Sequence, residues 1–280
     1  RRGVPVAVIN GRISERSFRG YRKLRPVLRR SFAALSAVGA QDATYASRFE
    51  AMGVPSDRVV VTGSMKWDSA PDPAEGGVSR RAKDLAEAMG VDRGRPVLVA
   101  GSTGPGEEAM ILDATPPGVQ LLCAPRKPER FDEAAAALPG CVRRSRGERG
   151  RGDVFLLDTL GELGAAYELG DAVVVGRSFG PVDGPVQGSD PMEPAALGKP
   201  VLTGPAHANF ATVVSTLERA GALRVVQATD LGAALTDLFG NGAERSSMGQ
   251  AARRCVAEQR GASARQASML LGLLGLDRSG

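Results

Sequence analysis

Polar residues cluster at four points of the sequence where a short apolar run gives way to a helical pattern. They lie in the segments 101–108, 125–130, 157–163 and 188–194. Small residues at such a turn let backbone N–H groups approach an anion at a helix N-terminus, and a basic side chain there can pair with a phosphate or carboxylate. Anion binding at these turns is therefore the first chemistry that the sequence offers.

Two of these turns also have purely structural interpretations. Thr159 and Glu162 have the spacing of a capping box, and Asp190 and Glu193 stand where an N-cap and the third residue of a helix would lie. Glu193 could equally accept two hydrogen bonds from a ribose diol. Gly161 would fall in the first helical turn, where glycine costs about 1 kcal/mol relative to alanine. Close approach of a ligand to the backbone would explain a glycine there.

Basic residues and the single histidine refine the choice of chemistry. Arg126 stands between two prolines after an apolar run, so its planar guanidinium is placed to meet a phosphate or carboxylate. Arg130 lies just inside the following helix and is predicted to make surface pairs. His207, the single histidine, is predicted to be a rim or capping residue. One histidine argues against Ser-His-Asp hydrolysis and against a multi-histidine metal site.

The elements that must position these turns are predicted from alternating patterns. Continuously apolar short runs alternate with helical stretches, which indicates a doubly wound α/β domain with a parallel sheet and a ligand at the carboxyl ends of its strands. The predicted strands are 4–9, 58–62, 96–100, 119–124, 154–157, 172–175, 201–203 and 223–227. The predicted helices are 21–35, 42–52, 79–89, 106–114, 129–138, 161–169, 191–197, 208–220 and 230–238, with one or two more over 243–274. Segments 69–78 and 143–153 are predicted as a linker and a charged loop.

Composition excludes several classes of protein. The chain has 280 residues, of which 42% are hydrophobic and 24% charged, and these values exclude wholesale disorder. No apolar run approaches the roughly 18 to 20 residues that cross a bilayer, and no signal peptide is visible. Three cysteines without C-x-x-C spacing indicate neither a disulfide framework nor a zinc site, so a reducing cytoplasm is expected.

Positive charge is concentrated near the start of the sequence. Eight basic residues and one acid lie between residues 12 and 30, within a chain of net charge +5. Such a cluster suits an anionic partner such as phosphate groups or a membrane surface, although a solvated helix face would look the same. Nucleic acid is disfavoured, because only Phe18 and Tyr21 interleave the charges and no recognition motif is present.

In their order and spacing, the motifs resemble those of the bacterial Kdo transferases, which add 3-deoxy-D-manno-octulosonic acid (Kdo) to the lipid A precursor. The matching segments are 8–17, 61–68, 102–103, 106–108, 125–131, 158–163, 190–200, 204–205 and 209–210. The resemblance implies an α/β fold of the GT-B type. It further implies a remnant of an N-terminal Rossmann-like domain over 1–65, a nucleotide-sugar domain over 66–240 and closing helices over 241–280.

The resemblance also implies which residues act. Lys66 matches a basic residue assigned to transition-state stabilisation, where it would meet the negative charge that develops on departing CMP. No metal and no cofactor is required in this scheme, because the donor is CMP-Kdo. The residues matching the CMP-binding segments are Ser102, Thr103, Arg126, Lys127, Leu160, Gly161, Glu162, Asp190, Pro191, Met192 and Glu193.

Five positions depart from the family pattern. Gly104, Lys127 and Ser189 stand where the family has histidine, Gln187 stands where it has glycine, and Asp190 stands where it has asparagine. A carboxylate at position 190 adds a repulsive charge beside a nucleotide phosphate, which would weaken binding of CMP-Kdo. These departures indicate a divergent branch, with an altered donor as one consequence to consider.

The segment that carries the general base in the family has no match in this sequence. Glu15, Asp68 and Glu162 each have a simpler structural explanation and cannot be nominated as its replacement. We therefore expect the chain to hold the donor-binding part of a Kdo transferase and to transfer no sugar to the lipid A precursor by itself. The expected location is the cytoplasmic side of the inner membrane, as a peripheral protein on an anionic surface. The alternatives are a GT-B glycosyltransferase that uses another nucleotide sugar, or a non-catalytic protein that binds a nucleotide or a membrane.

Overall fold

The computed structural model describes residues 4–69, 77–147, 149–150 and 152–276. Its contacts group the chain into two compact units, one of Arg1–Ala70 with Glu258–Gly280 and the other of Pro71–Ala257. The predicted division at residues 65 and 240 stays a prediction beside this grouping. Most of the predicted linker at 69–78 lies outside the described residues.

Helices and parallel strands alternate through most of the described chain, as the α/β prediction requires. Besides short 3-10 turns, the elements in chain order are β1 (Ala7–Gly11), α1 (Glu15–Lys23), α2 (Arg25–Ala33), β2 (Ala37–Ala40), α3 (Ala43–Met52), β3 (Val59–Val61), α4 (Arg80–Met89), β4 (Val97–Thr103), α5 (Glu107–Ala114), β5 (Gln120–Pro125), α6 (Phe131–Ala137), β6 (Val142–Arg143), β7 (Val154–Leu156), α7 (Leu163–Leu169), β8 (Ala172–Val175), α8 (Met192–Ala196), β9 (Val201–Thr203), α9 (Ala211–Arg219), β10 (Leu223–Val225), α10 (Leu231–Gly240), α11 (Gly242–Gln259) and α12 (Ala262–Leu273).

Three sequence predictions of elements are wrong in detail. The predicted helix 21–35 is two helices, with a break at Leu24 and Pro26 in the first turn of α2, where a missing N–H costs nothing. Strand β2 is not predicted, because three of its four residues, Ala37, Gly39 and Ala40, carry little strand propensity. Strand β6 lies at the start of the segment predicted as a charged loop, and it has only two residues.

The first unit is built on a parallel sheet of order β1-β2-β3. Ile13, Val38 and Phe49 form its apolar core. Helix α12 is tied to this unit by Asp68, whose carboxylate accepts hydrogen bonds from the backbone N–H groups of Gly261 at 2.6 Å and Ser263 at 2.5 Å. Asp68 therefore caps a helix that lies almost two hundred residues further along the chain.

The second unit is built on a parallel sheet whose order is β10-β9-β8-β4-β5-β7-β6. The described part of this sheet has seven strands, where the sequence predicts six. Leu98, Ile111 and Leu202 belong to its main apolar cluster, and burial of each such side chain contributes about 1.5–3 kcal/mol. Helices α4 and α7 are joined because the N–H and hydroxyl of Ser79 donate to Glu168 at 2.6 and 2.9 Å.

The direction of the chain reverses between two central strands of this sheet. Strands β5, β7 and β6 lie on one side of β4, and β8, β9 and β10 lie on the other. Such a switch point leaves a crevice beyond the carboxyl ends of the two strands, where α/β proteins bind ligands. The turns after β4 and β8 are therefore the natural walls of a site.

Candidate functional site

The turn after β4 contains a strained residue and a buried one. Ser102 has a φ of +56°, in the left-handed region that serine rarely adopts, and its carbonyl accepts a hydrogen bond from the Ser189 hydroxyl at 3.4 Å. Thr103 is 1% exposed, and its hydroxyl donates to Glu108 at 2.7 Å. Of the two predicted binding residues here, Ser102 remains partly exposed at the turn, and the Thr103 side chain is occupied inside the protein.

Glu107 joins this turn to the loop that follows β8. Its carboxylate accepts hydrogen bonds from the backbone N–H groups of Gly104 at 2.8 Å, Arg177 at 2.6 Å, Ser178 at 2.8 Å and Phe179 at 3.0 Å. The side chain is buried, with only 5% of the residue exposed. Glu107 thus fixes the turn after β4 and the loop after β8, which are the two walls of the crevice. Nothing in the sequence around Glu107 predicts this role.

Arg130 contradicts its predicted role as a surface residue. It is 7% exposed, and its guanidinium makes two hydrogen bonds with Glu108, which is 0% exposed, at 2.8 and 3.0 Å. The hydrogen bonds from Arg130 to Glu108 and to the more exposed Glu133 raise the pKa of Arg130, against the opposing effect of burial. The prediction failed because only the tertiary fold brings Glu108, twenty-two residues away, beside this guanidinium.

The turn after β5 presents two exposed cations. Arg126 and Lys127 are both exposed, and the backbone N–H of Arg126 donates to the Thr103 carbonyl at 3.1 Å. The Lys127 ammonium pairs with Glu129 at 3.3 Å, and both side chains are largely in solvent. Arg126 is therefore held by its backbone at the sheet edge with its charge directed outward.

The turn after β7 does not form the predicted capping box. Helix α7 begins at Leu163, so Thr159 is not its N-cap, and the Thr159 hydroxyl instead donates to the Glu162 carboxylate. Gly161 has a φ of +80°, a conformation that explains the glycine without a ligand, because the residue precedes the helix rather than lying inside it. Leu160 beside it is 75% exposed, an unusual position for a leucine.

Glu162 and Asp158 are held by arginines that the sequence analysis did not connect to them. Arg144 pairs with Glu162 at 3.1 Å, and Arg143 pairs with Asp158 at 2.7 Å. Burial acts to raise the pKa of Asp158, but hydrogen bonds from the side chain and backbone of Ser145, together with Arg143, outweigh burial and hold that pKa below its ordinary value. This buried carboxylate anchors the loop that carries both arginines.

The start of α8 brings two carboxylates close together. Asp190 accepts a hydrogen bond from the Met192 N–H at 3.0 Å, as an N-capping side chain does, although the helix has only five residues. Burial raises the pKa of the half-buried Glu193, and the negative charge of Asp190 raises it further. Pro191 and Met192 are buried. Glu193 also approaches α7, since a Cβ atom at Gly164 would lie 2.7 Å from its carboxylate.

The predicted site residues therefore divide between the two units. Those from Ser102 to Glu193 all lie near the carboxyl edge of the second sheet, because parallel strands end on the same side. Lys66 is exposed in the short helical turn Met65–Ser69 of the first unit. Among the described residues, no cluster of histidine, cysteine, aspartate or glutamate has the geometry to hold a metal ion. Within the same residues, no helix combines the length and apolar character needed to cross a membrane.

Solved structures with the same fold define the class of the protein. The structure of Anabaena HepE in complex with UDP superimposes with a TM-score of 0.57 at 14% identity, covering 97% of this chain and 72% of that one. The C-terminal CMP-Kdo binding domain of WaaA from Acinetobacter baumannii superimposes with a TM-score of 0.57 at 26% identity, covering 63% of this chain and 96% of that one. The chain has the α/β fold of the GT-B glycosyltransferases, as predicted.

Sequence relatives extend the comparison to almost the whole chain. The 3-deoxy-D-manno-octulosonic acid transferases of Bordetella pertussis and Haemophilus influenzae are 35% and 31% identical over 98% and 96% of this chain. A family model described as 3-deoxy-D-manno-octulosonic-acid transferase (kdotransferase) matches residues 1–69. The chain is similar to Kdo transferases over almost its whole length, and the resemblance carried by its motifs is confirmed. It spans 65% and 64% of the lengths of those two relatives.

Proposed function

We propose that this chain binds CMP-Kdo at the carboxyl edge of the second unit's sheet, as the donor-binding part of an enzyme that transfers Kdo to the lipid A precursor. The observation that carries the proposal is the similarity to the A. baumannii CMP-Kdo binding domain, 96% of which is covered. The Kdo transferases that match almost the whole chain at 31–35% identity support it further. Their enzymatic class makes this chain part of a glycosyltransferase.

The exposed cations at the end of β5 are suited to the nucleotide phosphate. Arg126 offers a planar pair of donors and Lys127 a second positive charge, so that together they would neutralise a phosphodiester. The N-terminal turn of α8 would add backbone N–H groups, although Asp190 already accepts one of them. We assign the phosphate to the Arg126 side of the site.

The nucleoside would be held by apolar and acidic groups. Glu193 could accept two hydrogen bonds from the ribose diol, and the exposed Leu160 could cover one face of the cytosine ring. Gly161, Glu162, Pro191 and Met192 would shape the turns around these two side chains. Ser102, partly exposed at the switch point, would lie near the phosphate, and the buried Thr103 would support its turn.

Lys66 is proposed to stabilise the departing CMP. Transfer of Kdo leaves negative charge on the nucleotide, and a positioned ammonium lowers the free energy of that state. The role requires Lys66 to approach the phosphate during the reaction. We assign it from the Gly-Ser-Met-Lys-Trp-Asp motif alone.

Calorimetric titration of the 280-residue chain with CMP tests donor binding. We expect Arg126→Ala to weaken CMP binding at least tenfold, since a charge-assisted pair is lost. Arg93→Ala is the matched control, because Arg93 is exposed in the turn before β4, at the opposite edge of the same sheet, and its loss should change affinity less than twofold. Absence of CMP binding at millimolar ligand, or equal affinities for Arg126→Ala and the unaltered chain, would count against the proposal.

A GT-B protein that uses a uridine nucleotide is the second candidate. Asp190, which stands where the family has asparagine, is the observation that favours it. A ligand that binds the folded state raises the melting temperature, and at equal concentration the tighter ligand raises it more. CMP should therefore stabilise the chain more than UMP or UDP at equal concentration, and the reverse order would favour this candidate.

The basic segment of the first unit is proposed to contact an anionic membrane at the cytoplasmic face of the inner membrane. Leu24, which lies between α1 and α2, and Val27 in α2 are 58% and 76% exposed among the arginines of this segment. Basic residues near an anionic bilayer contribute about 1 kcal/mol each, and exposed apolar side chains add to this. Binding to vesicles should rise with their fraction of anionic lipid; binding independent of that fraction would reject the proposal.

A further inference from the structure

A cavity of about 360 Å³ lies at the switch point of the second sheet. None of the residues assigned above to the nucleotide lines it. The turn after β4 forms one wall and the loop after β8 forms the other. Met110, Phe179, Pro181 and Val186 make its lining mostly apolar. Its place is where doubly wound sheets bind ligands.

One cation, Arg177, projects from the wall that follows β8. Arg177 has a φ of +59°, which residues other than glycine rarely adopt. Its backbone is held on both sides, because its N–H donates to Glu107 at 2.6 Å and its carbonyl accepts from Gly188 at 2.7 Å. Backbone strain of this kind persists where the surroundings impose it, and such positions concentrate at ligand sites.

The charge of Arg177 is available to a ligand. Within the described part of the chain, its guanidinium takes part in no ion pair. The nearest acid in the wall, Glu107, uses both carboxylate oxygens on four backbone N–H groups. A mostly apolar cavity with one such cation suits a small organic anion, in which carbon surface meets the walls and a carboxylate meets the guanidinium.

The spacing of the strands relates this cavity to the phosphate side of the site. Strand β4 separates β5, which Arg126 follows directly, from β8, which ends two residues before Arg177. Neighbouring strands lie about 4.8 Å apart, so the two strand ends are about 10 Å apart, a span that a sugar phosphate can bridge. We propose that the cavity receives the acidic sugar of the donor and that Arg177 pairs with the sugar carboxylate. This inference rests on the proposed function and makes Arg177 a residue that determines donor specificity.

Two variants at position 177 separate the carboxylate contact from an effect on folding. Arg177→Gly removes the side chain and relieves the left-handed backbone, so its melting temperature should not fall. Arg177→Lys keeps the charge but loses the planar pair of donors. Each variant of the 280-residue chain is titrated with CMP, which lacks the sugar, and with CMP-Kdo, which carries it.

We expect Arg177→Gly to weaken CMP-Kdo binding at least tenfold while CMP affinity stays within twofold, with Arg177→Lys intermediate for CMP-Kdo. Equal losses for the two ligands, or no loss for either, would overturn the assignment of the carboxylate to Arg177 and leave the proposed function standing. If the unaltered chain binds neither CMP nor CMP-Kdo, the proposed function and this inference both fail.

Discussion

Arg130 and Glu108 form a buried ion pair with two parallel hydrogen bonds, Nη1 to Oε1 at 2.8 Å and Nη2 to Oε2 at 3.0 Å. The same guanidinium donates to the Thr103 carbonyl at 3.3 Å. The pair therefore connects the start of α6, the start of α5 and the end of β4. This buried contact therefore joins the turn after β4 to the turn after β5, both of which we assign to donor binding.

Removal of Arg130 should destabilise the protein strongly. Arg130→Ala leaves the Glu108 carboxylate buried without its cation, and breaking a buried pair in this way costs about 3–5 kcal/mol. Urea unfolding at pH 7 measures the loss as a lower midpoint. Arg19→Ala is the control, because Arg19 pairs with Glu15 in solvent and such pairs contribute about 0.2–1 kcal/mol. Similar losses for the two variants would show that the buried pair contributes no more to stability than the exposed pair.

Glu107 should control the order of the loop after β8. Glu107→Gln places an NH₂ group against backbone N–H donors, so some of the amides of Arg177, Ser178 and Phe179 lose their acceptor. Each buried donor left unpaired costs about 1–3 kcal/mol. Hydrogen exchange should show faster exchange of these three amides, with the interior amides of β4 unchanged. Unchanged protection of the loop would mean that Glu107 does not hold it.

The sequence predicts much of the fold because parallel strands covered on both faces are apolar throughout. Runs such as 172–175 and 201–203 coincide with β8 and β9. The positions of the polar turns follow directly, because strand ends on one edge of a parallel sheet must lie together. The placement of these turns at one edge of the sheet was therefore accessible before the structure, whereas their anion-binding character and the individual binding roles stay predictions.

Contacts between distant residues could not be predicted in this way. Nothing local to Glu107 shows that the loop after β8 will surround it, and nothing local to Arg130 shows that Glu108 will be its partner. Local pattern also misplaced Thr159, since the chain completes a turn at Gly161 before α7 begins. For Glu107 and Arg130 the outcome depends on tertiary contacts, whereas for Thr159 it depends on a local side-chain hydrogen bond to Glu162.

Ionisation of Asp158 should make the free energy of unfolding depend on pH in the acid range. The pKa of Asp158 lies below its ordinary value, so its contribution is present above about pH 3.9 and is lost as pH falls through the lowered pKa. Asp158→Asn should cost about 3 kcal/mol at pH 7, since it weakens charge-assisted hydrogen bonds. The difference between the two proteins in urea should shrink below pH 4.

A second variant checks the cause of that pH dependence. Ser145 donates from both its N–H and its hydroxyl to Asp158, at 2.7 and 2.6 Å. Ser145→Ala removes the hydroxyl, so the pKa of Asp158 should rise toward its ordinary value. The acid-dependent loss of stability should then be smaller and should be complete at a higher pH. An acid-dependent loss of the same size and the same lower end in Ser145→Ala would mean that this hydrogen bond does not lower the pKa.

Glu193 should make CMP binding depend on pH in a way that Asp190 controls. Burial and then the charge of Asp190 raise the pKa of Glu193 above 4.5. Only the ionised carboxylate accepts two hydrogen bonds from the ribose diol, so CMP affinity should fall as pH falls through this raised pKa. Asp190→Asn removes the neighbouring charge and keeps a capping side chain, so the fall should move to lower pH.

Comparison with Glu193→Gln isolates this effect from the ligand's own titration. The CMP phosphate has a second pKa of about 6, which is common to every variant and cancels in the ratio of affinities. Titrations from pH 7.5 to 4.5 should show the affinity ratio of the unaltered chain to Glu193→Gln decreasing on acidification. In the Asp190→Asn background the same decrease should begin at lower pH, and affinity at pH 7 should rise because a charge that repels the phosphate is gone. A ratio that stays constant over this range would remove Glu193 from the nucleotide site.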